Sequence, residues 1–323
     1  MSLRKLAATL VTLMVVTAWP ACAEDAYPSQ AIKVVVPLTP GTTIDILARV
    51  FADRLGARLH QSVVVLNRAG AGGLIAAETV ASAPADGYTL LFANSGHTIL
   101  GTLNKNLPFD PVADFKGLML VGDTPALVVV SPATGAKTLK EFVELAKSKP
   151  GKLNYGSAGI GTATHLTGAY FAMKAGIDLV HVPYKDSTQI LTDMAAGRMD
   201  AVFAPAAYSA AMIKAGKLRA LAVGSEEPMK EPIAAPTAIS QGVDYVASTW
   251  YGFLAPAKVP EPIIQKLGKE LLEISKDPEV QAAITRQGIT PRRVELAAFD
   301  AYIQNDMKRL DPLLKQISQQ VSK

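Results

Sequence analysis

Apolar residues run along this chain in two alternating rhythms. Ile32–Pro37, Val63–Asn67 and Thr89–Asn94 are short, nearly continuous apolar runs, each ended by a polar or Pro/Gly turn. Such runs predict strands buried on both faces, as in a parallel sheet. Between them the spacing changes. Ile44, Leu47, Ala48, Phe51, Leu55 and Leu59 fall on one face of a helix, and another helical stretch opens at Leu74–Val80. A second set of strands begins at Leu127–Val130 and continues through Leu153–Tyr155, Leu179–Pro183, Ala201–Ala204 and Leu218–Val223. Thr138 and Glu141 frame a capping box ahead of Phe142, Val143 and Ala146. Trp250–Pro256 reads as a last strand, and the chain from about Pro262 onward reads as helix.

Strands alternating with helices imply an α/β fold with parallel sheets. About ten strands exceed one such unit and fit two lobes, each a mostly parallel sheet flanked by helices. The Pro-rich stretch Pro228–Pro236 reads as a surface connection, and Asp123–Pro125 as a crossing. The expected division is residues 24–124 plus 246–323 in lobe one and 125–245 in lobe two. Open parallel sheets bind ligands beyond the carboxyl ends of their strands. There the sequence puts its unusual turns: Pro37–Asp45, Asn94–Thr98, Ser157–His165 and Pro183–Thr188.

The turn in Leu153–Leu166, LNYGSAGIGTATHL, carries the most chemistry. A short strand runs into Gly156, Ser157, Ala158, Gly159, Gly161 and Thr162, and Leu166, Ala169, Tyr170 and Met173 then recur at helical spacing. A Gly-rich turn at a helix start offers N–H groups and small hydroxyls at the positive end of the dipole, a place for an anion. An ordinary strand-to-helix turn has the same composition.

The first residues bear on compartment. Arg4 and Lys5 precede the apolar run Leu6–Trp19, closed by Pro20 and Ala21-Cys22-Ala23. This is the pattern of a secretory leader over residues 1–23, cut after Ala23, and the run is short for a membrane span. The mature chain would keep 300 residues and no cysteine, and its net charge would fall from +4 to +2 as Arg4 and Lys5 leave. Its basic residues are scattered, without the runs or interleaved aromatics of a nucleic-acid surface.

Several stretches in order then resemble one family: YPSQAIKVVVPLTPG, VVVLNRAGAGG, APADGYTLLFAN, LNYGSAGIGTATHL, HVPYKD and WYGFLAP. Spanning essentially the whole mature chain, they are similar to the substrate-binding receptors of tripartite tricarboxylate transporters, the Bug-type periplasmic receptors. The resemblance implies a type II "Venus flytrap" that closes over a small solute, typically a carboxylate, and hands it to membrane permease subunits; together with the leader and the lack of catalytic groups it makes a monomer without cofactor the expectation. Some members instead serve as sensors. In the family the first strand–helix loop and the SAG-type loop grip the proximal carboxylate, partly through waters. Carried over, these are Thr39, Gly41, Thr42, Thr43 and Asp45, then Ser157, Ala158, Gly159, Gly161, Thr162 and His165. Asn94, Ser95, Lys185, Asp186 and Phe203 complete the expected pocket. Two positions depart from the family: Thr42 follows Gly41 where a second glycine is usual, and Asp186 stands where glycine follows PYK. A carboxylate at 186 facing the cleft would repel a second ligand carboxylate and favour a monoacid.

Each candidate has a simpler reading beside it. Ser157 and Thr162 could cap the helix, and Asp45 could complement its dipole. His165 could support the loop, Lys185 and Asp186 could pair on the surface, and Phe203 and Tyr184 could be core. The histidines lack metal spacing. An enzyme is the rival class. Gly70, Gly72 and Gly73 invite a dinucleotide reading, but position 75 is Ile where the fingerprint needs a small residue. No G-x-S-x-G elbow occurs either.

Overall fold

The computed structural model describes residues 27–103, 106–185 and 187–321. The expected leader and Asp186 lie outside these described residues.

Lobe one is built on β1 (Ile32–Val36), β2 (Val63–Asn67) and β3 (Thr89–Asn94), parallel in the order β2-β1-β3. α1 (Thr43–Leu59) and α2 (Leu74–Ala81) make the crossovers, and the single-turn α3 (Leu100–Leu103) follows β3. The apolar face of α1 buries Leu47, Phe51 and Leu55 against Val34, Phe92 and Phe253. Phe253 packs at a tilt against Phe92 and Phe51, with ring centroids 4.4 and 5.4 Å apart. Each such side chain removed from water contributes about 1.5–3 kcal/mol.

β4 (Phe115–Val130) then leaves this lobe for the other. Its residues through Pro125 pair with β9 (Ser248–Pro256), while Ala126–Val130 pair with β7 (Ala201–Pro205) and Leu127–Val130 with β8 (Arg219–Val223). Lobe two adds α4 (Leu139–Ser148), β5 (Asn154–Ser157), α5 (Ala163–Ala175), β6 (Val180–Pro183), α6 (Ser187–Ala195) and α7 (Ala206–Lys214). β6, β5 and β7 are parallel neighbours. Phe142, Phe171, Phe203 and Tyr245 fill this lobe's core. Thr138 caps α4 through Glu141 N–H at 3.2 Å, and Glu141 reaches back to Lys137 N–H at 2.6 Å, one residue before the usual partner.

After β9 come α8 (Glu261–Ser275), α9 (Pro278–Arg286), β10 (Thr290–Glu295) and α10 (Leu296–Val321). Each lobe thus has three parallel strands, and β4, β8, β9 and β10 join them antiparallel. The continuous helix expected after Pro262 is interrupted by β10. This strand is an irregular edge, with Pro291 and a register shift before Val294, so its residues show no apolar alternation. α10 is a further strut. Asp306 accepts the Trp250 Nε1–H at 3.0 Å, and Leu310 packs with Ile99 of lobe one and Leu166 of lobe two.

Candidate functional site

The loop after β1 is fixed from behind by one buried carboxylate. Asp45, 3% exposed in the first turn of α1, accepts the Gly41 N–H at 2.9 Å, Asn67 Nδ2 at 2.9 Å, and Arg49 Nε and Nη2 at 3.1 and 2.9 Å. Asn67 also donates to Leu38 O, and Thr42 Oγ1 donates to Thr39 O at 2.8 Å. Burial would raise the Asp45 carboxyl, but the hydrogen bonds from Arg49, Gly41 and Asn67 and the Arg49 charge hold it below its ordinary range. Asp45 is therefore the organiser of this turn. Its bonds point into the loop.

The loop after β5 is likewise bonded to itself. The N–H groups of Ala158, Gly159, Gly161 and Thr162 go to Thr164 Oγ1, Ser157 Oγ, His165 Nδ1 and Gly159 O. Ser157 is fully buried, donates to Gly159 O at 3.0 Å and lies 2.6 Å from His181 Nε2. His181 stacks on His165 with centroids 4.1 Å apart. Burial lowers His165 to about 4; burial and the neighbouring His165 lower His181 to about 3. Both rings are neutral at neutral pH.

What these loops leave open is the start of each following helix. Neither α1 nor α5 has a side-chain cap: Thr42 and Thr162 occupy the N-cap positions, but their hydroxyls turn to Thr39 O and Gly159 O. The N–H groups of Thr43, Ile44, Ala163 and Thr164 have no acceptor among the described residues. Both helix starts face one cavity of about 80 Å³ between the lobes. Lobe one lines it with Leu38, Thr42, Thr43, Ile44, Gly72 and Asn94. Lobe two contributes Ala158, Thr162–Thr164, Ile190, Ala204, Pro205 and Tyr208, and β9 adds Thr249 and Tyr251. No Asp, Glu, Lys, Arg or His is among the described lining residues. Among the described lining residues the electrostatic bias comes from the positive ends of two helix dipoles, a geometry that attracts a small anion.

A larger open groove, about 1290 Å³, lies between residues 224–232 and 282–292. Its wall carries Asp123, Glu226, Glu227, Glu231 and Asp306 against Lys230, Arg286 and Arg292, an acidic balance unsuited to an acid. Among the described residues no group of three or more His, Cys, Asp or Glu stands together as a metal site.

Of the residues expected from the sequence, Thr42, Thr43, Asn94, Ala158 and Thr162 line the cavity. Thr39, Gly41, Asp45, Ser157, Gly159, Gly161 and His165 form the supporting loops behind it. Ser95 is buried, its carbonyl accepting Thr98 Oγ1. Phe203 is wholly buried in the lobe-two core, and its neighbour Ala204 reaches the cavity instead. Lys185 is exposed. Pro37, Leu38, Ile44, Ala163 and Thr164 lie within the turns expected at the ligand end but were not singled out, and Gly72, Ile190, Pro205, Tyr208, Thr249 and Tyr251 were not anticipated. For Thr249 and Tyr251 the available signal was the two-residue period of a strand around Trp250.

The sequence profile described as "Tripartite tricarboxylate transporter family receptor" matches residues 47–319. A UPF0065 protein from the tcbD-tcbE intergenic region of Pseudomonas sp. strain P51 is 33% identical over 88% of this chain and 86% of its own. BugT of Bordetella pertussis is 33% identical over 83% of each. Among solved structures, the periplasmic binding protein BugD superposes with TM-score 0.80 at 29% identity, covering 90% of this chain and 98% of the other. MatC of Rhodopseudomonas palustris, with bound malate, gives 0.82 at 26% identity over 89% and 100%. An R. palustris protein with adipate gives 0.83 at 29% over 90% and 97%. These are solute-binding receptors rather than enzymes, with the two-lobed architecture of periplasmic binding proteins. From profile, relatives and fold together, the chain belongs to the tripartite tricarboxylate transporter receptor family.

Proposed function

We propose that this chain is a periplasmic receptor that closes its lobes over a small organic carboxylate and delivers it to the permease subunits of a tripartite tricarboxylate transporter. One observation carries the reading: two uncapped helix starts, of α1 and α5, face each other across a small cavity whose described lining has no charged side chain. Free N–H groups at two dipole ends hold a carboxylate through charge-assisted hydrogen bonds without a cationic partner. The structures of relatives with malate and adipate are consistent with an acid as ligand. Residues 1–23 serve as the export leader, and the mature receptor works as a monomer without cofactor. β4 and β9 form the hinge, with 24–124 plus 246–323 moving against 125–245.

A thermal-shift screen of the mature protein against small organic acids tests this. A ligand at a hundred times its Kd stabilises the folded state by about 2.7 kcal/mol. Small-angle scattering should show a smaller radius with the acid than without. Failure of every acid to stabilise the protein, or turnover of one, would remove the receptor reading.

A further inference from the structure

The floor of the cavity carries polar groups that an anion held by the helix starts leaves unused. Thr249 and Tyr251 project from the same face of β9, while Trp250 between them turns the other way to Asp306. Both line the cavity and both are only 3% exposed. The Tyr251 ring packs in the lobe-one core, yet its hydroxyl, like that of Thr249, has no hydrogen-bond partner among the described residues. Asn94 stands directly opposite Tyr251 in the β3–β9 register. Its Oδ1 accepts the Gly96 N–H at 3.0 Å, and its Nδ2 is unused. These three donors border the cavity, and among the described residues nothing accepts from them, so an oxygen that enters the cavity meets three donors on one wall at no cost to an existing protein hydrogen bond.

We propose that Tyr251, Thr249 and Asn94 form a second polar subsite on the hinge wall that receives an uncharged oxygen of the bound acid. The solute class that follows is a monocarboxylate bearing a hydroxyl, keto or amide oxygen. This rests on the carboxylate reading given above and adds the far end of the ligand to it. The group received is uncharged because no Lys, Arg or His lines the cavity among the described residues, so a second carboxylate would be desolvated there without a counter-charge. The Tyr251 phenol is pushed up by burial and remains a donor at every physiological pH.

Calorimetric titration with matched acids tests the subsite: lactate against propionate, 2-hydroxybutyrate against butyrate, and succinate as the diacid. The wild-type protein should bind the hydroxy acid of each pair at least tenfold tighter than its deoxy partner, and succinate more weakly than the hydroxy acids. Tyr251→Phe should close most of that gap, Thr249→Val part of it. Unliganded Tyr251→Phe should melt no lower than wild type, because the change removes a hydroxyl that has no partner. Acids that bind without a hydroxy preference, a preference that survives both substitutions, or tighter binding of succinate overturn the subsite while leaving the anion grip standing. If none of these acids binds wild type, the subsite for small hydroxy acids is overturned, and the anion grip falls with it only when the wider acid screen also finds no ligand.

Discussion

Gly72 separates closure of the lobes from the stability of either one. It sits in the left-handed region, φ +66° and ψ 16°, in the turn before α2. A Cβ built there would lie 2.5 Å from Ile160 O and 3.3 Å from the Gly161 backbone, across the cleft in lobe two. Gly96 makes a similar approach, its Cβ position being 3.2 Å from Gly161 O. Gly72→Ala therefore has two separable effects. Left-handed backbone costs an alanine about 1–2 kcal/mol in open and closed states alike, which lowers the melting temperature but not the affinity. With the lobes hinging as proposed, the overlap with Ile160 O belongs to the shut state alone. Overpacking of this kind costs about 1–3 kcal/mol, and charged to the closed state alone it weakens binding by roughly 5- to 150-fold. Gly135→Ala is the matched control, with φ +76° and nothing within 4 Å of its Cβ position. Calorimetry with an acid found by the thermal screen, alongside melts of the unliganded variants, should show both variants destabilised and only Gly72→Ala weakened in binding. Equal affinities for the two variants would refute the interlobe contact as part of the bound state.

Ser157→Ala should act mainly on stability. It removes the partner of Gly159 and His181 inside a buried loop, costing about 1–3 kcal/mol, with less than a tenfold loss of affinity. An unchanged melt with a large affinity loss would instead put the hydroxyl on the ligand. Asp45→Ala orphans the donors of Gly41, Asn67 and Arg49, and should both loosen the loop and weaken binding. The stability loss should be about 1–3 kcal/mol rather than the ~3–5 of a fully buried pair, because the Arg49 side chain is 51% exposed; denaturant titration measures it. Acid should destabilise the fold before the carboxylates titrate. His97 and His165 are lowered to about 4, and His181 to about 3, so below about 6.5 the unfolded chain takes up protons that the folded one refuses. Stability is complete above that pH and falls steadily as pH drops toward 4; melts that stay flat from pH 7 to 4 would contradict neutral buried histidines.

The parallel strands β1, β2, β3 and β7 were legible because each is a largely apolar run between polar turns, whereas β5, Asn-Tyr-Gly-Ser, was marked mainly by the glycine-rich turn that follows it. Val63–Asn67 and Thr89–Asn94 coincide with β2 and β3 to the residue. β4 was visible only at its end, since Gly117, Gly122, Asp123 and Pro125 break its pattern where the strand crosses between lobes and shifts register. The loops after β1 and β5 stood out through their glycines and hydroxyls, but which of their N–H groups stay open did not. That depends on tertiary bonds such as Gly161 to His165 and Ala158 to Thr164, which move the open donors from the turn itself to the first residues of the helix. Phe203 and Ala204 show the same limit in a strand. One step along β7 exchanges the core face for the cavity face, and composition alone does not say which face is which.

The most direct test of the account is a crystal structure of the mature protein with an acid that stabilises it. The account predicts one carboxylate within hydrogen-bond distance of the N–H groups of Thr43 or Ile44 on one side and Ala163 or Thr164 on the other, with the lobes shut around it. An acid bound in the open groove beside Glu226 and Arg286, or held by the Ser157 hydroxyl away from both helix starts, would contradict it.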